Sequence, residues 1–512
     1  MRQSWGELAE VHEDSDPDYG PNFWTYTNFN FMRRQKHMKM KKIIAMLLAL
    51  VMVSGLVAAC GKKDDSTTDA TKATSKATEV TEPVDDTTAT TTLTSTTPEN
   101  VVDPAQNVTD EDTTPVVIYT WNTEFTGLLD KYYVAENPDF TYEAVTTETS
   151  GYQTALDAVL SSGDGAPDIF LLEADYCKKY VDGDYTLNIN ELGIDYAELA
   201  SEFGYTYELM QNADGSIRAL SWQCNPSVVF YNNTLAETYL GSSDPTVVGE
   251  SFATWDAFLA MAEQINTDSA GVVKAISGTD DIWRSYLNSR ETGWLDENGE
   301  VYVDPSMESY YDMSKTMYDE GLTFETTQWG ADWSANMANQ TVLSYWGPMW
   351  FINFCMGFNA DSDGNIANEA TLGDWNCCAA PTSFFWGGTW IAASTYDNNK
   401  ATTADIMRFF TIDYDSMLTM GQNGECVNNL DVLTTLANDA SFGVDLLSGN
   451  NPFSLLLSEA GKIDVSTLTA DDSTFNTNFQ ATVTSYNAGD IATVAEAEEA
   501  FIAACTDAGL GA

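Results

Sequence analysis

The sequence is poor in positive charge and nearly devoid of histidine. It carries 22 Lys and Arg against 77 Asp and Glu in 512 residues, a formal net charge of −55. A surface this acidic repels polyphosphate, which excludes nucleic-acid binding and docking on anionic membranes through a basic patch. The two histidines are His12 and His37. Beyond them, Ser-His-Asp and Cys-His arrangements and histidine metal sites are ruled out. No G-x-S-x-G and no P-loop glycine pattern is present. The chain has one long apolar run, Ile43 to Ala59, and its 17 residues fall short of the ~20 that span a bilayer as a helix. Aromatic residues make up 12% and hydrophobic residues 44%, so the acidity does not signal disorder throughout.

The apolar run comes after Lys39, Lys41 and Lys42 and ends in Val57-Ala58-Ala59-Cys60-Gly61. A positive region, an apolar core and small residues are the parts of a secretory signal. A cysteine directly after small residues resembles the lipobox of bacterial lipoproteins, which makes Cys60 the lipidated N-terminus of the exported chain. Residues 38–59 are then the signal peptide. Residues 1–37 precede it and read as an over-extended start, with translation beginning at Met38 or Met40. Residues 1–59 hold seven Lys/Arg and six Asp/Glu, so the acidity belongs to the chain beyond residue 59. From residue 61 to 114 there are 20 Ser or Thr among 54 residues and no aromatic. Such a segment cannot bury enough apolar area to offset its ordering entropy. Residues 60–114 are thus expected to be a lipidated, disordered leash with its ends roughly 40 Å apart. Seven cysteines lie beyond Cys60, an odd number with no C-x-x-C pair; they resemble neither a zinc site nor a disulfide framework. Most read as buried small hydrophobes, with one or two unassigned disulfides left open for an exported protein.

The body opens with the strand-like run Val116–Thr120, a helical stretch Leu128–Ala135, a second strand-like piece Phe140–Val145 and a helix from Tyr152 to Leu160. A turn cluster, Ser162 to Asp168, feeds the apolar strand Ile169–Leu172. Strands alternating with helices predict an α/β protein with parallel sheet covered on both faces. Ligands gather beyond the carboxyl ends of such strands, which brings Trp121, Glu124, Glu173 and Asp175 to one edge. Hairpin turns are expected at Asp214-Gly215 and Asn298-Gly299. Helices are expected over Asp256–Ile265, capped by Thr254, around Met307–Tyr318, and over Ala495–Ala504 behind Thr493.

The ordered pieces Gly163-Asp164-Gly165-Ala166-Pro167-Asp168, Trp222-Gln223-Cys224-Asn225-Pro226, Phe230-Tyr231-Asn232, Thr254-Trp255-Asp256, Trp346-Gly347 and Trp386-Gly387-Gly388-Thr389-Trp390 resemble the extracellular solute-binding proteins of carbohydrate ABC transporters, the maltose-binding-like family. The resemblance covers nearly all of residues 115–512. It implies a two-lobed fold, each lobe a sheet flanked by helices, with a helical C-terminal part. Lobe 1 would comprise 115–226 plus 388–438 and lobe 2 would comprise 227–387 plus 439–512. It further implies a monomeric, lipid-anchored receptor on the extracytoplasmic face of the cell membrane. Such a receptor hands a sugar to an ABC permease and needs no cofactor or metal.

Sugar rings present apolar C–H faces and a rim of hydroxyls, so a receptor needs aromatic platforms together with carboxylates, amides and backbone groups. Trp121, Trp222, Trp346, Trp350, Trp386 and Trp390 sit beside small or polar residues and are the candidate platforms, with Gly347 and Gly388 counted alongside them. Core packing is the alternative for each. Glu124, Glu173, Asp175, Gln223 and Asn225 are the polar candidates, against the ordinary expectation of solvated surface charge. Trp283 and Arg284 are held as second-lobe contacts. Eleven Lys/Arg lie after residue 114, which favours a neutral mono- or oligosaccharide; Arg218, Arg284 and Arg290 keep an anionic ligand open. A surface glycoside hydrolase with a carboxylate pair and a non-transport glycan-binding lipoprotein are the rival readings. Asp361-Ser362-Asp363-Gly364-Asn365 resembles a calcium loop, but its glycine falls fourth and no glutamate completes the frame, so it reads as a polar turn.

Overall fold

The computed structural model describes residues 97–111, 114–356 and 371–511. The expected signal peptide, Cys60, the leash as far as residue 96 and the Asp361–Asn365 turn lie outside the described residues. Among the described residues nine strands form: β1 (Val116–Thr120), β2 (Tyr142–Thr146), β3 (Ile169–Glu173), β4 (Ala219–Ser221), β5 (Pro226–Asn232), β6 (Ser344–Gly347), β7 (Trp375–Cys378), β8 (Phe384–Phe385) and β9 (Thr389–Ala393). They build two sheets, and the protein is a two-lobed α/β fold.

The first sheet runs β2-β1-β3-β9-β4. Strand β1 pairs in parallel with β2, Val116 opposite Tyr142, and with β3, Ile118 opposite Ile169. Four of the five residues of β3, Ile169 to Leu172, are buried, as befits a strand covered on both faces. The helix Thr149–Ser162 provides the crossover between β2 and β3. It buries Tyr152, Leu156 and Leu160, which recur at the four-residue spacing of one helix face. The Tyr152 hydroxyl donates to the Leu171 carbonyl at 2.7 Å. Strand β9 then arrives from far along the chain and pairs antiparallel with β3 and β4.

The second sheet is built around β5, which pairs antiparallel with β6, β7 and β8. Here the structure departs from the expected parallel sheet. Strands β6 and β7 run antiparallel to β5, although helices from Asn233–Tyr239 to Ala331–Ala338 lie between β5 and β6 in the chain. All seven residues of β5 are buried. A large aromatic core lies under this sheet: Trp346 stacks on Trp255 at 5.8 Å and 7°, and Trp294, Phe479 and Phe501 close the far side.

The chain passes between the sheets at Gln223–Asn225, between β4 and β5, and at Trp386–Gly388, between β8 and β9. A third passage comes after the helix Leu430–Ala437, which is tied to the first lobe by the Leu430 N–H donating to the Ser201 carbonyl at 2.7 Å. The next helix, Phe453–Ala460, packs on β5. The anticipated helices form as Trp255–Asp268, Pro305–Asp319 and Val494–Asp507, with Thr254 and Thr493 accepting from Ala257 N–H and Glu496 N–H at their N-termini.

A second expectation also fails. Residues from about 97 to 111, assigned to the leash on composition, are docked on the first lobe. Asn100 Oδ1 accepts from Asn190 Nδ2 and Tyr196 N–H, Ala105 N–H donates to Asn190, and Glu111 N–H donates to Asn398. Asp110 accepts from the Ala401 and Thr402 N–H groups at the start of the helix Lys400–Thr411. A polar segment without a hydrophobic face can still be ordered when a lobe surface supplies partners for its backbone and side chains.

Candidate functional site

The carboxyl end of β1 turns through Trp121 and Asn122, whose Oδ1 accepts the Glu124 N–H at 3.0 Å and starts a short helix. Glu124 Oε1 accepts from Gln223 Nε2 at 2.9 Å, joining the end of β1 to the first passage. Gln223 is held by its own N–H on Ser221 Oγ, and its Oε1 faces Asn225 Nδ2 at 3.4 Å. Asn225 takes a left-handed φ of 44° just before Pro226, where β5 begins. Burial, and after it the neighbouring Glu425, pushes the Glu124 carboxyl up to about 8, against a lowering by Gln223. Burial likewise raises Glu425, while Lys131 and Gln223 oppose the rise.

Strand β3 ends at Glu173, whose Oε2 accepts the Asp175 N–H at 2.8 Å. Burial and then Asp175 push the Glu173 carboxyl up to about 8, although Arg284 pulls the other way. Asp175 faces the second lobe, and Arg284 on the helix Asp280–Leu287 grips it with both prongs, Nη1 to Oδ1 at 2.9 Å and Nη2 to Oδ2 at 2.8 Å. Burial works against ionisation of Asp175, but Arg284 outweighs it and holds the carboxyl below its usual range. The same guanidinium lies over the Trp386 ring, 5.2 Å from its centre.

Trp386 belongs to a cluster of three indoles. Its ring is 5.1 Å from Trp350 and 5.9 Å from Trp329, both edge-on, and Trp329 stacks nearly parallel to Trp350 at 6.2 Å and 10°. Trp350 Nε1 donates to the Trp386 carbonyl at 3.2 Å. Gly387 sits where the two walls meet, with a left-handed φ of +66°; a Cβ there would be in ordinary contact with Trp350 at 3.5 Å and Glu173 Oε1 at 3.6 Å. At Gly388, with φ +124°, a Cβ would stand 2.9 Å from Asn225 Nδ2. The two passages therefore touch, and glycine is what their contact requires. Trp121, just past the carboxyl end of β1, is half-buried against Tyr152 and Tyr176, and Tyr176 adjoins Asp175 beyond β3.

The structure thus brings Glu124, Glu173, Asp175, Gln223, Asn225, Trp350, Trp386 and Gly388 to the junction of the sheets, with Arg284. It takes other candidates away. Trp222 is wholly buried and stacks on Phe125 at 5.3 Å. Trp390 is buried in the first lobe with its Nε1 on the Thr206 carbonyl. Trp346 and Trp283 are core of the second lobe, Trp346 against Trp255 and Phe258, Trp283 against Phe479 and Tyr310. Gly347 faces the Phe351 ring, 2.8 Å from where a Cβ would sit, so it serves packing. Two arginines are structural as well. Arg290 pairs with Asp472 at 3.1 Å inside the second lobe, and Arg218 donates to Thr186 and Ser216 in the first. Among the described residues no group of three or more His, Cys, Asp or Glu could hold a metal ion.

Sequence reasoning passed over Trp329, Tyr176, Glu425 and Lys131. Trp329 carries the signal used elsewhere, a tryptophan before a glycine ahead of a helix (Ala331–Ala338), and the residue is 57% exposed with φ +67°.

The sequence pattern of the bacterial extracellular solute-binding proteins matches residues 128–424. No curated protein matches the chain in sequence. Solved structures share the fold, three of them as follows. An extracellular solute-binding protein of family 1 is 16% identical, with 77% of this chain and 99% of that one covered and a TM-score of 0.65. An ABC-transporter-associated binding protein from B. animalis subsp. lactis, solved with beta-1,6-galactobiose, is 18% identical over 77% and 97%, TM-score 0.61. The galacto-N-biose-/lacto-N-biose I-binding protein from Bifidobacterium longum, solved with lacto-N-biose, is 16% identical over 78% and 98%, TM-score 0.59. With the family pattern spanning more than half its length, the chain belongs to the bacterial extracellular solute-binding proteins.

Proposed function

We propose that the protein is the substrate-binding component of an ABC importer and captures a neutral mono- or oligosaccharide between its lobes without altering it. The observation that carries this reading is the Trp329–Trp350–Trp386 wall standing beside Glu173, Asp175 and Arg284. Indole faces suit the C–H face of a sugar ring, and the acids, Gln223 and Asn225 suit its hydroxyls. The sugars bound by the structural neighbours from B. animalis and B. longum support the same ligand class. Each ring adds about 0.5–1.5 kcal/mol beyond area burial and each hydrogen bond about 1 kcal/mol net, so a handful of contacts reaches the −8 kcal/mol or so of a micromolar complex. Because contacts come from both lobes, binding favours their closed arrangement.

On this reading lobe 1 is 115–226 with 388–438, lobe 2 is 227–387 with 439–512, and Cys60 carries the lipid that holds a monomer on the extracytoplasmic face of the membrane, beside its permease. A thermal-shift screen of the full chain against neutral sugars tests the reading, because a ligand that binds the native state raises its melting temperature. A raised melting temperature with the sugar recovered intact supports it. Released cleavage products would favour a hydrolase, and no response to any sugar would overturn it.

A further inference from the structure

The first passage is braced from behind. Gln223 forms an antiparallel bridge with Val427, the Cys224 N–H donates to the Cys426 carbonyl at 3.1 Å, and the Asn428 N–H donates to the Trp222 carbonyl at 2.9 Å. In that register Cys224 and Cys426 stand directly opposite each other. Directly opposed residues of an antiparallel pair have Cα atoms about 4.5–5.5 Å apart, inside the range a disulfide spans. Their Sγ atoms lie 3.5 Å apart, both side chains buried. The residues 202 positions apart in sequence are thus already in place for a bond, and the family is extracellular, where thiol pairs meet oxidants.

We propose that Cys224 and Cys426 form an intramolecular disulfide that staples the two segments carrying Gln223 and Glu425 to each other. The thiolate of one cysteine attacks a disulfide of the oxidising milieu, such as oxidised glutathione, and releases one glutathione thiolate. The second cysteine attacks the mixed disulfide and releases the other. Two electrons and two protons pass from the protein to two reduced glutathiones, and one Sγ–Sγ bond forms. Burial raises the Cys224 thiol well above its ordinary range, so in the folded protein that thiol is a poor nucleophile and the bond forms as the chain folds. It closes a long loop, which restricts the unfolded chain, and it fixes the first-lobe side of the passage, so that lobe movement falls on Asn225 and Gly387–Gly388.

The test is refolding of the full chain in oxidised against reduced glutathione, with thiol blocking, proteolysis and mass spectrometry afterwards. The proposal predicts a Cys224–Cys426 linked peptide pair, lighter by two hydrogens and split by reductant, together with a melting temperature about 5 °C higher in the oxidised protein. The Cys224→Ser and Cys426→Ser variants should each lose that redox-dependent shift. Recovery of both cysteines as blocked thiols after oxidative refolding, or their linkage to other cysteines, overturns it; the wild-type peptide map decides even where a variant folds poorly.

Discussion

Asp175 and Arg284 meet across the two lobes as a two-pronged ion pair, 2.9 and 2.8 Å, with the guanidinium resting on Trp386. One partner lies just past the end of β3 and the other rides a helix of the second lobe. The pair therefore bridges the two walls between which the proposed function puts the sugar, and on that reading Arg284 covers part of an indole face the sugar would use.

Arg284→Ala should loosen this bridge. The Asp175 side chain is 42% exposed, so solvent screening holds the contribution to at most about 1 kcal/mol, and it should fade as salt is raised. Small-angle scattering of the unliganded variant should show a larger radius of gyration than the wild type at low salt, with the difference narrowing at high salt. Identical curves at low salt would deny the pair any part in holding the lobes together.

Glu124 and Glu173 both have carboxyls raised to about 8 in the folded protein, against about 4.3 for an unfolded glutamate. Between those values the folded state holds protons that the unfolded state releases. Stability is therefore fullest below about pH 4.3, as far as these two groups are concerned, and declines as pH rises toward 8. Urea midpoints measured from pH 5 to pH 8 should fall less steeply in Glu124→Gln and Glu173→Gln than in the wild type. Slopes equal to wild type in both variants would contradict this assignment.

The indoles divide into two kinds. Trp329 is 57% exposed, whereas Trp346 is 1% exposed. Trp329→Ala and Trp350→Ala should weaken sugar binding at least tenfold, and Trp329→Ala should leave the urea midpoint near wild type. Trp346→Ala should instead destabilise the fold by about 3–5 kcal/mol. The reverse pattern in calorimetry and unfolding curves would place the platform elsewhere.

Gly388→Ala should damage the contact between the two passages, because its Cβ would stand 2.9 Å from Asn225 Nδ2 at a φ of +124°. A melting temperature lowered by several degrees is expected, with partial recovery when Asn225→Gly is added. An unchanged melting temperature in the single variant would show that the passages separate freely.

Much of this architecture was legible from local pattern. The apolar runs of β1, β3 and β5, the caps Thr254 and Thr493, and the glycine turns at Gly215 and Gly299 are short-range signals, and short-range physics decides them. The indole wall was only half legible. Trp346-Gly347 and Trp329-Gly330 look alike as letters, yet the first lies on β6 with its ring turned into the core and its glycine making room for Phe351. The second sits in a loop with its ring in the open. Nothing local separates them, since the distinction depends on which strand pairs with β5. The Asp175–Arg284 pair, 109 residues apart, is likewise a product of how the lobes meet. The order of residues 97–111 escaped composition for the same reason, because their partners, Asn190, Tyr196 and Asn398, belong to the folded lobe.

The most direct test of the sugar-clamp reading is a calorimetric titration of the full chain, wild type and Trp329→Ala, with a neutral oligosaccharide that raises its melting temperature. The account predicts saturable one-to-one binding near micromolar affinity in the wild type and at least a tenfold loss in the variant. Equal affinity in the two proteins would contradict the indole wall as the place where the sugar rests.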